Sequence, residues 1–218
     1  MPRRCFGNSA IKASRTSIHD SISLWGAAFF SAAAKLPHTL SLVLEKSGND
    51  WKLAGFYVKG TQVAGHDGQW FWDRAREFKS KGQMHNSWFY YNEARDLFAP
   101  VPFLSTLTTD RIYDESQPLQ SPDLPSGGNS ADLSFEGRTY HLTNVFAVGV
   151  GNDIDLVVKY QAADISNTNR TYQENVAVIK ALAAKYPELR QGFTAIIARA
   201  VEPSGKDYGT LLALKDVK

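Results

Sequence analysis

The chain predicts an α+β protein: a β-hairpin plus a helical hairpin, followed by an antiparallel β-rich domain with one crossing helix. Three observations carry this. Residues 38–58 read as two alternating strands around the turn Ser47-Gly48-Asn49-Asp50. Residues 66–100 hold nine aromatic side chains on two helical patterns hinged at Gly82. Residues 132–218 give a meander, a helix and a last hairpin, an antiparallel layout. The expected units are 1–37, 38–114, a linker at 115–131 and an α+β domain at 132–218.

A chain of 218 residues with 43% hydrophobic and 21% charged side chains has the composition of a globular protein. Its 24 basic and 22 acidic residues give a net charge of +2 with no basic stripe, which excludes nucleic acid as the main partner. The single cysteine, Cys5, cannot form an internal disulfide, and no Cys/His cluster has zinc-site spacing. No cofactor or metal is expected. After residue 35 no apolar run approaches the length that spans a bilayer, so no stable transmembrane segment is expected in the mature chain.

Residues 1–37 have two readings. Arg3, Arg4, Lys12 and Arg15, then an apolar stretch from Ile22 to Phe30, then Ser31-Ala32-Ala33-Ala34, follow the order of a secretory signal. Arg3-Arg4-Cys5-Phe6 also resembles the twin-arginine export signature, which implies a periplasmic or secreted protein. The alternative is an amphipathic helix with its stripe at Ile22, Trp25, Phe29, Phe30 and Ala33, in a cytoplasmic protein. A truncated start is the third reading, because nothing before residue 38 supplies a strand to cover the hairpin that follows.

That hairpin runs from His38 to Glu45 and from Trp51 to Val58. An isolated hairpin is at best marginally stable, so further strands or a helix must cover it. Trp51-Lys52-Leu53-Ala54-Gly55-Phe56, after a strand ending in Glu45, resembles the closing hairpin (38–58) of nuclear transport factor 2-like domains. The resemblance implies a half-open cone with an apolar pocket.

Asp67 is placed to cap a helix from Gly68 to Lys81 with its stripe at Phe71, Ala75 and Phe78. Gly82 ends it. A second helix runs from about Gln83 to Phe98, stopped by Pro100 and Pro102. Gly82, Ala94, Phe98 and Pro100 resemble the spacings of one tetratricopeptide repeat (66–100). Such arrays need about three repeats to bury a continuous core, so a lone helical hairpin is expected.

Beyond the linker, Asp132–Phe135 and Arg138–Leu142 flank Glu136-Gly137, and Val145–Val150 and Ile154–Tyr160 flank Gly151-Asn152-Asp153. Thr171-Tyr172-Gln173-Glu174 is a capping-box sequence. Its helix carries Val178, Ile179, Leu182 and Tyr186 and stops at Pro187. Phe193–Val201 and Tyr208–Leu214 close the chain as a hairpin.

No catalytic fingerprint is present. Gly149-Val150-Gly151 has Ile154 where a dinucleotide fingerprint needs its third glycine. Asp153 and Asp155 lack the further ligands of a calcium loop. The candidates for proton chemistry are His66 with Asp67, and Glu93, which shares a helix face with Asp96. Asp67 as a cap and Glu93 as a solvated charge are the structural alternatives.

Trp70, Phe71 and Trp72 are consecutive, so they cannot all face one core at 3.6 residues per turn. The surplus aromatics Trp70, Trp72, Trp88 and Tyr90 therefore contact either the β-rich part or a ligand. The expected function is non-enzymatic binding or scaffolding, recognising a peptide or protein partner through the aromatic helical hairpin. The alternative is a small-molecule-binding or hydrolytic enzyme with a cone-type pocket.

Overall fold

The computed structural model describes residues 11–19, 22–29, 37–126 and 128–217, with 11–19 and 22–29 described by their backbone course. It is an α+β fold. The N-terminal part is a four-stranded antiparallel meander of β1 (Ile11–His19), β2 (Ile22–Phe29), β3 (His38–Ser47) and β4 (Asp50–Gly60), in that spatial order. The stretch with an amphipathic-helix reading is thus a strand over Ile22–Phe29. A short apolar run satisfies both periods, and the open edge of β3 decides between them: Leu24 lies opposite Val43 and Trp25 opposite Leu42. Strand cover for the hairpin is therefore present. The arginine pair Arg3-Arg4 and the tract Ser31–Ala34 lie outside the described residues.

A two-residue ladder, β5 (Gln62–Val63) with β6 (His66–Asp67), leads into α1 (Gly68–Ser80) and α2 (Met84–Phe98). Asp67 caps α1 by accepting the Trp70 N–H at 2.9 Å. Gly82, at φ +74°, makes the left-handed turn between the helices.

The sequence reading has no counterpart for α3 (Leu107–Ser116). Thr106 caps it, and the Thr106 and Thr109 side chains bond each other's backbone N–H. The segment expected as a linker starts inside this helix. A 3-10 turn over Gln117–Leu119 follows, and Leu119 and Leu124 are buried in the same apolar cluster as the helices and the C-terminal sheet.

The C-terminal sheet has the order β11-β10-β9-β8-β7, from β7 (Ala131–Phe135), β8 (Arg138–Val150), β9 (Asp153–Gln161), β10 (Ala195–Val201) and β11 (Asp207–Ala213). β9 and β10 are parallel, where an antiparallel sheet was expected. A parallel pair needs a long crossover, and α4 (Thr168–Lys185) with the short α5 (Leu189–Gly192) supplies it.

The cap of α4 is Asn167, whose Oδ1 accepts the Arg170 N–H at 3.0 Å. Thr171, read as the cap, is instead buried one turn inside the helix and donates to Asn167 O. One sheet face is buried under α4 through Tyr140, Leu142, Leu156, Val158, Tyr160 and Ile196. Phe146 and Leu211 are exposed.

Candidate functional site

The surplus aromatics divide. Trp72 is buried under α3: its Nε1 donates to Glu115 Oε2 at 3.0 Å, and the Arg76 guanidinium lies 4.2 Å from its ring. Tyr90 is buried, donates its hydroxyl to Gly192 O at 2.6 Å and meets Phe78 and Phe193 edge-on. Their polar atoms and faces are taken up within the protein, which corrects the reading of these two as ligand contacts. Trp70 and Trp88 are half-buried against the core cluster; Trp70 stacks on His66 with ring centroids 3.6 Å apart. The cover that the sequence left unassigned is mainly α3, α5 and Phe193.

His66 and Asp67 are not brought together as a catalytic pair, since His66 stacks on Trp70 while the Asp67 carboxylate caps α1. Glu93 is different. It stands one turn before Asp96 on α2, and both act on Lys59 of β4. Burial, then repulsion from Asp96, pushes the Glu93 carboxyl up to about 7 against the attraction of Lys59. Burial lowers Lys59 although Asp96 and Glu93 oppose it, and its Nζ donates to Ala99 O at 3.1 Å. Arg95 on the same helix covers the Tyr113 ring, and Arg76 pairs with Glu115.

Lys59 belongs to the surface that the structure adds to the sequence reading. A bulge between Val43 and Leu44 sets Leu53 opposite Leu44 and Phe56 opposite Leu42, with Val58 opposite Leu40. Directly paired residues share a face, so Leu40, Leu42 and Leu44 of β3 and Leu53, Phe56 and Val58 of β4 form an apolar row on one face, with Trp51 at its end opposite Lys46. Trp51, Leu53, Phe56 and Val58 on it are 44%, 59%, 59% and 59% exposed. The other face rests on the chain after α2: Ser41 Oγ donates to Pro100 O at 3.0 Å, and Tyr57 meets Phe103 edge-on.

β4 is also an edge strand. It pairs only with β3, and among the described residues its outer edge makes no backbone hydrogen bond. A cleft of about 570 Å³ follows that edge, lined by Phe56, Tyr57, Val58 and Lys59 on one side and by Asp96 and Ala99–Pro102 on the other. The apolar row depends on the bulge at Ala54, which keeps Leu53 and Phe56 on one side.

A second polar cluster joins α2 to the far end of α4. His85 Nδ1 is 2.6 Å from Glu188 Oε1, its Nε2 is 3.8 Å from Asp123 Oδ1, and Tyr186 donates to Asp123 Oδ2 at 2.6 Å. Burial opposes ionisation of Asp123, but hydrogen bonds from Ser121, Tyr186 and Lys185 hold its carboxyl well below the usual range. His85 Nε2 is itself buried, and the hydrogen bonds of this cluster fasten α2 to the segments at Asp123 and Tyr186–Glu188.

A third polar cleft, of about 700 Å³, lies at the end of β9, where Arg170 is already paired with Glu174 at 3.0 Å. Among the described residues no group of three or more His, Cys, Asp or Glu side chains is arranged to hold a metal, and no helix is long and apolar enough to cross a membrane. Compared with protein-family models, curated proteins and solved structures, the chain matches none.

Proposed function

We propose that this is a non-enzymatic binding or scaffolding protein that holds a peptide or protein partner on its N-terminal sheet, with the helices and the C-terminal sheet as the rigid support. The observation that carries it is the exposed apolar row of Trp51, Leu53, Phe56 and Val58. Contiguous apolar surface of this kind marks interaction sites, whereas single exposed apolar residues are ordinary. The resemblance of 38–58 to a nuclear transport factor 2-like closing hairpin, which implies a half-open cone with an apolar pocket, supports the alternative small-molecule reading below. Trp70 and Trp88 keep a supporting place as half-buried aromatics of the helical hairpin.

The test is selection of a random displayed-peptide library on the immobilised chain. Binding that depends on the row is expected, with Phe56→Ser weakening selected peptides about tenfold or more. Selected peptides indifferent to Phe56→Ser and Leu53→Ser would overturn the proposal. Both side chains are exposed, so the variants are expected to fold.

Glu93 favours a second reading, a small-molecule or hydrolytic site in the cleft beside Lys59. A carboxyl pushed up to about 7 is poised for general acid–base work at neutral pH. That reading requires hydrolysis of a chromogenic ester or glycoside panel that is lost in Glu93→Gln.

Export of the chain belongs to the proposal as well. Its support is the order of Arg3-Arg4, apolar stretch and Ala32–Ala34 in the sequence. Secreted material beginning at Lys35 would support cleavage, and material retaining Ile11–Phe29 would keep β1 and β2 in the folded sheet.

A further inference from the structure

We infer that the outer edge of β4 accepts an extended peptide as an added strand, with a basic side chain of that peptide seated beside Asp96 in the cleft. The inference rests on the binding function proposed above and names the kind of partner and its mode of docking.

The backbone carries the first part. β4 is 11 residues long, and among the described residues its outer N–H and C=O groups have no backbone partner. Natural sheets cover or blunt such edges with proline, charged side chains, bulges or very short strands. This edge carries the bulge at Ala54 and the lysines Lys52 and Lys59, but it is long, holds no proline, and runs without a bulge from Gly55 to Gly60 beside the exposed Phe56 and Val58. An added strand satisfies those groups in register. A docked helix cannot, because its own backbone groups are already paired.

The cleft carries the second part. The cleft beside this edge is walled by Pro100, Val101 and Pro102, the segment that also carries the sheet's other face, and can take side chains that alternate along an added strand. Its charged groups are Lys59 and Asp96, with Glu93 one turn behind on α2. The Lys59 ammonium is half-buried and bonded to Ala99 O, so it is drawn toward the wall and does not block the strand. The Lys59 ammonium is held on Ala99 O and the Glu93 carboxyl is pushed up to about 7, so the exposed Asp96, which makes no ion pair among the described residues, is left short of positive charge. An arginine or lysine of the partner supplies it.

A second copy of the chain is the competing occupant, and the experiment below separates it from a peptide.

Peptides selected from the displayed library on the full chain, then synthesised, are the probe. The selected sequences are expected to alternate apolar and polar residues and to share one arginine or lysine. N-methylation of alternate backbone nitrogens should weaken binding about tenfold or more, and methylation of the intervening ones should not. Asp96→Asn should weaken binding about tenfold and remove the preference for a basic residue. Amide hydrogen exchange along β4 should slow when peptide is bound.

Binding that falls in Phe56→Ser while N-methylation has no effect and β4 amides stay unprotected would overturn the strand-addition inference and leave the apolar-face reading standing. Binding indifferent to Phe56→Ser as well would overturn both. Concentration-dependent dimers with protected β4 amides and no added peptide would assign the edge to a second copy, and the inference would fall.

Discussion

Trp72 of α1 and Glu115 of α3 share a hydrogen bond from indole Nε1 to carboxylate Oε2 at 3.0 Å. The same carboxylate accepts from Arg76 Nε and Nη2 at 2.8 and 2.6 Å and from the Tyr91 hydroxyl at 3.1 Å. One glutamate thereby ties three helices and closes the aromatic surface that the sequence left open. Glu115→Ala is expected to destabilise the chain by about 2 kcal/mol, since it strands an indole N–H and a hydroxyl. Urea unfolding followed by Trp fluorescence measures it.

Arg76 first, then Trp72 and Tyr91, hold Glu115 down to about 2 against burial. The folded-state value is depressed, so its stabilising contribution is present above the ordinary glutamate range and is lost as pH falls toward about 2. Unfolding free energy measured from pH 6 downward should fall through this window in the wild type. Glu115→Gln should be less stable at pH 6 and flatter below it.

Glu93 has the opposite sign. Its folded-state value is raised to about 7, so the native state holds a proton that the unfolded chain has released, and stability falls as pH rises from about 4.5 to about 7. Glu93→Gln is expected to remove that fall and to stabilise the chain at pH 8 by about 1 kcal/mol after allowance for solvent screening. Asp96→Asn should lower the Glu93 midpoint in a carboxyl NMR titration without restoring the ordinary value, because burial is the larger cause.

The crossover helix is held by Asn175, which is fully buried. It accepts from the Tyr160 hydroxyl at 2.9 Å and donates to Thr210 Oγ1 at 3.0 Å and Tyr208 O at 3.2 Å. Asn175→Ala should cost about 3 kcal/mol, and adding Tyr160→Phe should cost less than the sum of the single changes, as a double-mutant cycle would record.

Gly192 meets the buried Asn86 side chain so closely that an added Cβ would lie 2.7 Å from Asn86 Oδ1. Asn86 Nδ2 donates to Glu188 O at 2.5 Å, so it is not free to withdraw. Gly192→Ala should lower the thermal midpoint by several degrees, about 1–3 kcal/mol of strain.

Much of the helical hairpin was legible in the chain because its signals are local. Asp67 caps α1, Gly82 turns, and the Phe71, Ala75 and Phe78 stripe is buried as its spacing requires. α3 was not legible: its apolar stripe is thin, with Ile112 its one buried large apolar side chain, and its Thr106–Thr109 cap uses no acidic or amide partner. The strand at Ile22–Phe29 was hidden by an apolar spacing that fits two periods, and only pairing with β3 selects one.

The candidate site divides in the same way. Glu93 with Asp96 could be read from i, i+3 spacing, but Lys59 arrives from a distant strand. The apolar row depends on a bulge that no residue type announces.

The most direct test of the sheet-face account is site-specific photocrosslinking with benzoylphenylalanine in place of Phe56 or, separately, in place of Phe146, an exposed aromatic on the other sheet. Library-selected peptides are expected to crosslink at position 56 and not at 146. Crosslinking at 146 alone, or equally at both positions, would contradict the account.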